Sequence, residues 1–352
     1  MIDSSQLRVY SPGYQAIEWG FGYDQIVDLD TALAQPCSIA VMPVYCDQPA
    51  EFSYKPEFEN VPLHKFDLVL FTDIEWRSQK TLIAWIETTG VNHWLLHTAG
   101  VWLDEPTDAR VIYRPAWSFN FLRWNPPRED FPLERSFAFE CLLGARREHR
   151  DFVMLNLQQS GLLDRSIVTY RDLFVGHWIN QTPARVARLF DNIVLQYPYV
   201  SSNLDPAWEV KQQMDNSVSG LVPWEIYNRT WFSVVCETLA QGRVFLSAEK
   251  IAKCLQARRL FVVFAIQGFL QHYRDWGFET FGDVIDETYD SEPDDIIRWG
   301  CAFEQVKLLC GQDLPTLLQK LQPRLDHNHH RLYALEQEKR QQLQDFVVDH
   351  LK

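Results

Sequence analysis

The chain has 352 residues, of which 46% are hydrophobic and 23% charged. That is a globular balance, long enough for two α/β domains. The formal net charge is −14, and residues 1–113 hold sixteen Asp and Glu against six Lys and Arg. Such a surface repels phosphate backbones and argues against nucleic acid as a partner, while favouring neutral or cationic acceptors. No run reaches the ~18 apolar residues of a membrane span, and the start, MIDSSQLRVYSPG, lacks the basic and apolar regions of a secretion signal. Seven cysteines without a CxxC pair read as reduced core thiols, so a cytoplasmic location is expected.

Taken in chain order, residues 38–44 (SIAVMPV) and 67–71 (DLVLF) are strand candidates. Leu82, Ile83 and Ile86 then recur at helical spacing, with Gly90 as the stop, and HWLLHTAG and ARVIYRP supply two more strands. Continuous apolar runs separated by helices predict a parallel sheet covered on both faces. From Arg114 to Glu134 prolines and aromatics replace periodicity. The expected organisation is an N-terminal domain over 1–118, a semi-stiff linker over 119–135, a second domain over 136–320 and a C-terminal helix over 321–352.

The second domain opens with a complete βαβ unit: a strand at 137–143, a turn at Gly144, a helix over 148–159 capped by Gly161, and a strand at 166–170. WFSVVCE is the next strand, EKIAKCLQARR a helix, LFVVFA a strand, and FLQHYRDWGF a short helix ending at Gly277. The remainder, from about residue 292, reads as helical. Its last helix is expected to dock through Leu332, Leu335, Leu343 and Val347.

Ligands of open parallel sheets sit at the carboxyl ends of the strands. There the second domain places Arg146, Arg147 and Arg150 in or beside the first turn of a helix, although the helix dipole disfavours cations at that end by ~0.3–1 kcal/mol each. A bound diphosphate would compensate; so would ordinary pairing with Glu148 and Asp151. Lys250 opens a second helix beside Glu249, and Glu237 ends the preceding strand. Lys250 suits the same diphosphate, whereas the two carboxylates suit ribose or sugar hydroxyls. Plain alternatives are a dipole partner for Glu249 and a solvated strand end for Glu237.

The segment ETLAQGRVFLSAEKIAKCLQARRLFVVF resembles the donor-site signature of fucosyltransferase-like and exostosin-like glycosyltransferases, in which an acid ends a strand and a Thr-Glu-Lys type motif opens a helix. The runs LLGARREHRDFVMLNLQQSGLLDRSIVTY and GFLQHYRDWGFETFGDVIDETYDSEPDD are similar to other parts of that group, so the likeness covers roughly residues 137–298. Ser247-Ala248 departs from the usual residues before the Glu-Lys pair, which leaves nucleotide and sugar open. The resemblance implies an α/β chain of the GT-B type, with two Rossmann-like domains facing across a cleft and C-terminal helices. It implies that Lys250 and one of Arg146, Arg147 or Arg150 contact the donor's phosphates, that Glu249 holds the ribose, and that Glu237 approaches the sugar or nucleotide.

The expected activity is therefore metal-independent, inverting transfer from a UDP- or GDP-linked sugar to a glycan, peptide or small-molecule acceptor. No cofactor is obligatory. Asp73 and Glu75, just past DLVLF, and His97, after HWLL, are candidates for the catalytic base. Two alternatives are a phage-type DNA-base glycosyltransferase and a sugar-binding or interaction protein without turnover. Asp28-Leu29-Asp30 has the DxD form of a metal-diphosphate site but precedes the main strands, and His327, His329 and His330 read as solvated residues of a turn before a helix. Gly20-Phe21-Gly22 lacks the third glycine of a dinucleotide fingerprint.

Overall fold

A computed structural model describes residues 6–11, 25–48, 51–53, 60–73, 78–106, 108–115, 122, 125, 134–171, 183–190, 193–204 and 221–351. It forms two compact units, each built on a parallel sheet. The α/β class expected from the sequence is the class observed.

The first unit takes Met1–Arg123, Arg243–Ser247 and Tyr333–Lys352. Its strands are β1 (Arg8–Tyr10), β2 (Ser38–Pro43), the hairpin β3 (Tyr45–Gln48) and β4 (Glu51–Ser53), β5 (Leu68–Asp73), β6 (Trp94–Thr98), β7 (Gly100–Trp102) and β8 (Val111–Tyr113). The main sheet has the order β1-β2-β5-β6-β8, every neighbour parallel. Every residue of β2, β5 and β6 is buried, as two-sided coverage demands. Helices α1 (Leu29–Leu33) and α2 (Gln79–Thr88) belong here, and Leu82 and Ile86 of α2 pack on one sheet face with Ala40, Met42, Val69, Phe71 and Leu96. Ser78 caps α2 by accepting from the Thr81 N–H.

The second unit takes Trp124–Gly242 and Ala248–Leu332. Its strands are β9 (Phe137–Leu143), β10 (Ser166–Tyr170), β11 (Tyr199–Val200) and β12 (Thr230–Cys236); β13 (Val244–Leu246) belongs to the first unit, and β14 (Phe261–Phe264) completes the second. The order β11-β10-β9-β12-β14 is parallel except for the short edge strand β11. Helix α3 (Glu148–Ser160) joins β9 to β10 and ends on Gly161, whose φ of 66° is the left-handed conformation that stops a helix. Four short helices or turns of helix follow: α4 (Ala184–Ala187), α5 (Trp224–Tyr227), α6 (Glu249–Gln256) and α7 (Phe269–Asp275). Helix α8 (Asp295–Cys310) is capped by Asp294, which accepts from the Ile296 and Ile297 N–H groups.

Arg259 organises the strand starts of this unit. Its guanidinium is buried and donates to the Tyr227, Thr230 and Phe232 carbonyls and to the Ser233 and Thr230 hydroxyls at 2.7–3.0 Å. Glu140 lies 3.8 Å away, and burial pushes its carboxyl up to about 7.

Two features differ from the sequence reading. The insert after Glu237 holds β13, which pairs antiparallel with β7 of the first unit. The final helix α9 (Leu314–His350) runs through 327–330, so the histidines stand inside a helix and not in a turn before one. His327 bonds the Gly277 carbonyl at 2.9 Å and His329 bonds the Gln256 carbonyl at 3.0 Å, each an anchor of the helix on its unit. Leu332, Leu335, Leu343 and Val347 are buried as expected. Leu343 and Val347 join Leu7, Val9, Ile39, Val41, Leu68, Leu70 and Leu95 in the core of the first unit. Among the described residues no helix is long and apolar enough to cross a membrane.

Candidate functional site

The strand order of the second unit reverses between β9 and β12. From β9 the chain moves through α3 to β10 on one side, and from β12 through α6 to β14 on the other. At such a switch point the two βα connections diverge and leave a crevice outside the carboxyl ends. The segments 144–150 and 237–250 leave the sheet there.

Neither helix start at this corner has a side-chain cap. Arg147 is the N-cap residue of α3 and Ala248 that of α6, and neither accepts a cap hydrogen bond, in contrast to Ser78 and Asp294 elsewhere. In α3 the Arg150 N–H is met by the Arg147 carbonyl at 3.0 Å, while no N-cap side chain accepts from the Glu148 and His149 N–H groups before it.

Arg150 and His149 clamp the two corners together. The buried Arg150 donates to the Ala145 carbonyl at 2.6 Å and to the Glu237 carbonyl at 3.4 Å. His149 lies 2.9 Å from the same Glu237 carbonyl through Nε2, and since a carbonyl only accepts, that nitrogen carries the proton. Burial, then Arg150 and Arg147, hold the His149 imidazole well below its ordinary range, so it is neutral. Arg146 turns elsewhere: Asp151, fully buried, accepts from its Nε at 3.1 Å and from the Tyr170 hydroxyl at 2.6 Å. Glu148 binds Arg185 and, at 2.7 Å, the Gln241 amide. Arg147 is half-buried, and burial followed by Arg150 pushes its guanidinium down to about 9.

On the other side of the switch point Glu237 is fully buried. Its Oε2 accepts from the Thr238 N–H at 3.1 Å, while Oε1 is buried without a hydrogen bond. Burial raises its carboxyl above the ordinary range against the pull of Lys250. Lys250 Nζ donates to the Thr238 hydroxyl at 3.0 Å and to Glu249 Oε1 at 3.1 Å. Burial raises the Glu249 carboxyl, but Lys250 and Lys253 outweigh it and leave it below the ordinary value. Thus Arg147, Arg150, Lys250, Glu237 and Glu249 share one electrostatic neighbourhood. The sequence reading missed His149, Thr238 and Lys253. The spacing of Lys253 from Glu249, one helical turn, was the available signal for the last.

In the first unit Asp73 ends β5 and is buried. His97 lies in β6, also buried, and burial followed by Arg114 holds it well below its usual range. Strand alternation puts His97 on the Leu95 face, which Leu343 and Val347 cover, and Asp73 on the Phe71 face. Glu75 lies outside the described residues, as do Gly20-Phe21-Gly22. Asp28 is the N-cap of α1, accepting from the Thr31 N–H and hydroxyl at 2.8 Å each, which accounts for the first acid of the DxD triplet. Among the described residues no group of three or more His, Cys, Asp or Glu has the arrangement of a metal site.

No protein-family model matches the chain, those of the fucosyltransferase-like and exostosin-like groups included, and no curated protein matches it. Among solved structures it is similar to T4 phage BGT in complex with UDP and Mn2+, with a TM-score of 0.40 at 10% identity over 98% of this chain and 99% of that one. It is also similar to a substituted form of T4 phage BGT in complex with UDP-glucose, with a TM-score of 0.46 at 12% identity over 98% and 99% of the two chains.

Proposed function

We propose that the chain is a GT-B type glycosyltransferase that uses a nucleotide-sugar and binds its diphosphate at the β9/β12 switch point. The observation that carries this reading is the meeting of Arg147 and Arg150, from the corner after β9, with Lys250 from the start of α6, beside two uncapped helix starts. Cations already fixed in a half-buried crevice stabilise the charge that develops on a departing diphosphate without reorganising. They supply what a metal ion supplies in other transferases.

The carboxylates have a separate task. Glu237 offers one buried oxygen with no partner, suited to a hydroxyl of the donor, and Glu249, ionised beside Lys250, is suited to the ribose. During transfer the bond from the anomeric carbon to the diphosphate breaks, a bond to the acceptor oxygen forms, and the acceptor's proton passes to a base. Asp73, the last residue of β5, is the proposed base for an inverting reaction, ahead of His97, which lies one residue short of the end of β6. A glycan, peptide or small molecule is the proposed acceptor.

Thermal unfolding with a panel of UDP- and GDP-linked sugars, in the presence of EDTA, tests this reading. One nucleotide class raises the melting temperature, since ligand at 100 times its Kd adds about 2.7 kcal/mol. A flat response to every member at millimolar concentration ends it.

A further inference from the structure

Two adjacent hydrogen-bond donors at this corner are left over once the protein's own bonds are made. The Lys250 ammonium has three N–H donors: one goes to the Thr238 hydroxyl at 3.0 Å and one to Glu249 Oε1 at 3.1 Å, and the third meets no acceptor among the described residues. A hydroxyl that accepts from an ammonium turns its own proton away from it, and the Thr238 O–H also finds no acceptor among the described residues. It does not turn to Glu237, whose Oε1 stays without a hydrogen bond. Lys250 keeps 22% of its side chain exposed and Thr238 is half-buried, so both donors are open to a ligand. The segment that carries Thr238 is fastened on both sides. The Thr238 N–H donates to Glu237 Oε2 at 3.1 Å, and the Glu237 carbonyl is held by His149 and Arg150. Beyond it, the buried Arg298 donates to the Ala240 carbonyl at 3.0 Å and the Gln241 amide to Glu148 at 2.7 Å. The hydroxyl is therefore set in place before any ligand arrives.

Resting on the function proposed above, we infer that Thr238 is a further binding residue for the diphosphate, its hydroxyl donating to a phosphoryl oxygen while it holds Lys250 alongside. A diphosphate offers acceptors only, and the Thr238 O–H with the third Lys250 N–H offers donors only. A sugar hydroxyl needs an acceptor as well, and the acceptor left over at this corner belongs to Glu237 and not to Thr238. The ammonium bonded to the hydroxyl oxygen polarises the O–H and makes it the stronger donor. Replacing Thr238 by a side chain of the same shape without the hydroxyl removes one donor and leaves Lys250 with Glu249 as its single partner among the described residues.

Calorimetric titration of the full chain with UDP and with GDP tests the inference. Thr238→Val binds the preferred nucleotide roughly tenfold more weakly than the wild type, the worth of one hydrogen bond to a charged group. Thr238→Ser, which keeps the hydroxyl, restores the affinity to within about twofold. Lys250→Met also weakens binding, and adding Thr238→Val to it costs less than the same change in the wild type, because part of the hydroxyl's effect passes through the ammonium. Circular dichroism melts confirm that each variant folds, and where Thr238→Val does not, Thr238→Ala carries the same expectation. Wild-type affinity in Thr238→Val, a Thr238→Ser variant that binds as weakly as Thr238→Val, or penalties at the two positions that simply add would each overturn the inference while leaving the diphosphate site standing. Failure of UDP, GDP and inorganic pyrophosphate to bind the wild type at all would overturn both.

Discussion

In the first unit the chain adds strands in one direction, β1, β2, β5, β6 and β8, whereas in the second it starts at the middle with β9, goes out to β10, and returns to build β12 and β14 on the other flank. Both sheets are buried, hydrophobic and covered by helices, so layer packing does not distinguish them. What differs is the carboxyl edge. A one-way order has each connection lying over the next, while a reversal parts two neighbouring connections and leaves their helix starts side by side. The second unit fills that gap with Arg147, Arg150 and Lys250; the described carboxyl ends of the first carry Asp73 and Thr98 on one face and His97 on the other.

The contrast can be broken at its foundation by Arg259→Ala. This removes a buried cation from five hydrogen bonds and leaves Glu140 without its partner, and the second unit should lose about 3–5 kcal/mol, read as a fall in the denaturant midpoint. Lys250→Ala sharpens the contrast by acting on function alone. Transfer or donor hydrolysis should drop by about 10²–10³, equivalent to roughly 2.7–4 kcal/mol, with the melting temperature held. A purified variant with wild-type turnover would remove Lys250 from the mechanism. Leu343→Ala tests the opposite side: it opens a cavity under the first sheet and should cost about 2–3 kcal/mol, while nucleotide binding to the intact protein keeps its affinity.

Much of this was legible where a signal is local. Residues 166–170 read as a strand because four of the five, Ile167 to Tyr170, are apolar or β-branched and a glycine stop precedes them, and β10 has those bounds. Gly161 marked the end of α3 because only a residue tolerant of positive φ fits there. β13 escaped notice because three residues, Val244–Leu246, form a strand only through pairing with β7, some 140 positions earlier. The turn assigned to 327–330 was a misreading of polarity: Asn328 and His329 are polar yet buried, because the Glu279 backbone and the Gln256 carbonyl meet their hydrogen bonds. At the site, residue types pointed to charge at the strand ends, but not to which arginine was already committed. Arg146 is held by Asp151, which in turn accepts from the Tyr170 hydroxyl, an arrangement that only the packing of α3 against β10 brings together.

The excursion that carries β13 into the first unit, together with the return of the final helix, means the backbone passes between the units four times, at 123/124, 242/243, 247/248 and 332/333. One scission therefore separates nothing. A fragment ending at Arg123 would expose the unpaired edge of β7 and the apolar floor formed by Leu68, Leu70 and Leu95, surfaces on which loose chains aggregate. Dissecting this protein into working halves would require grafting residues 243–247 and 333–352 back onto the front piece and bridging 242 to 248 in the other.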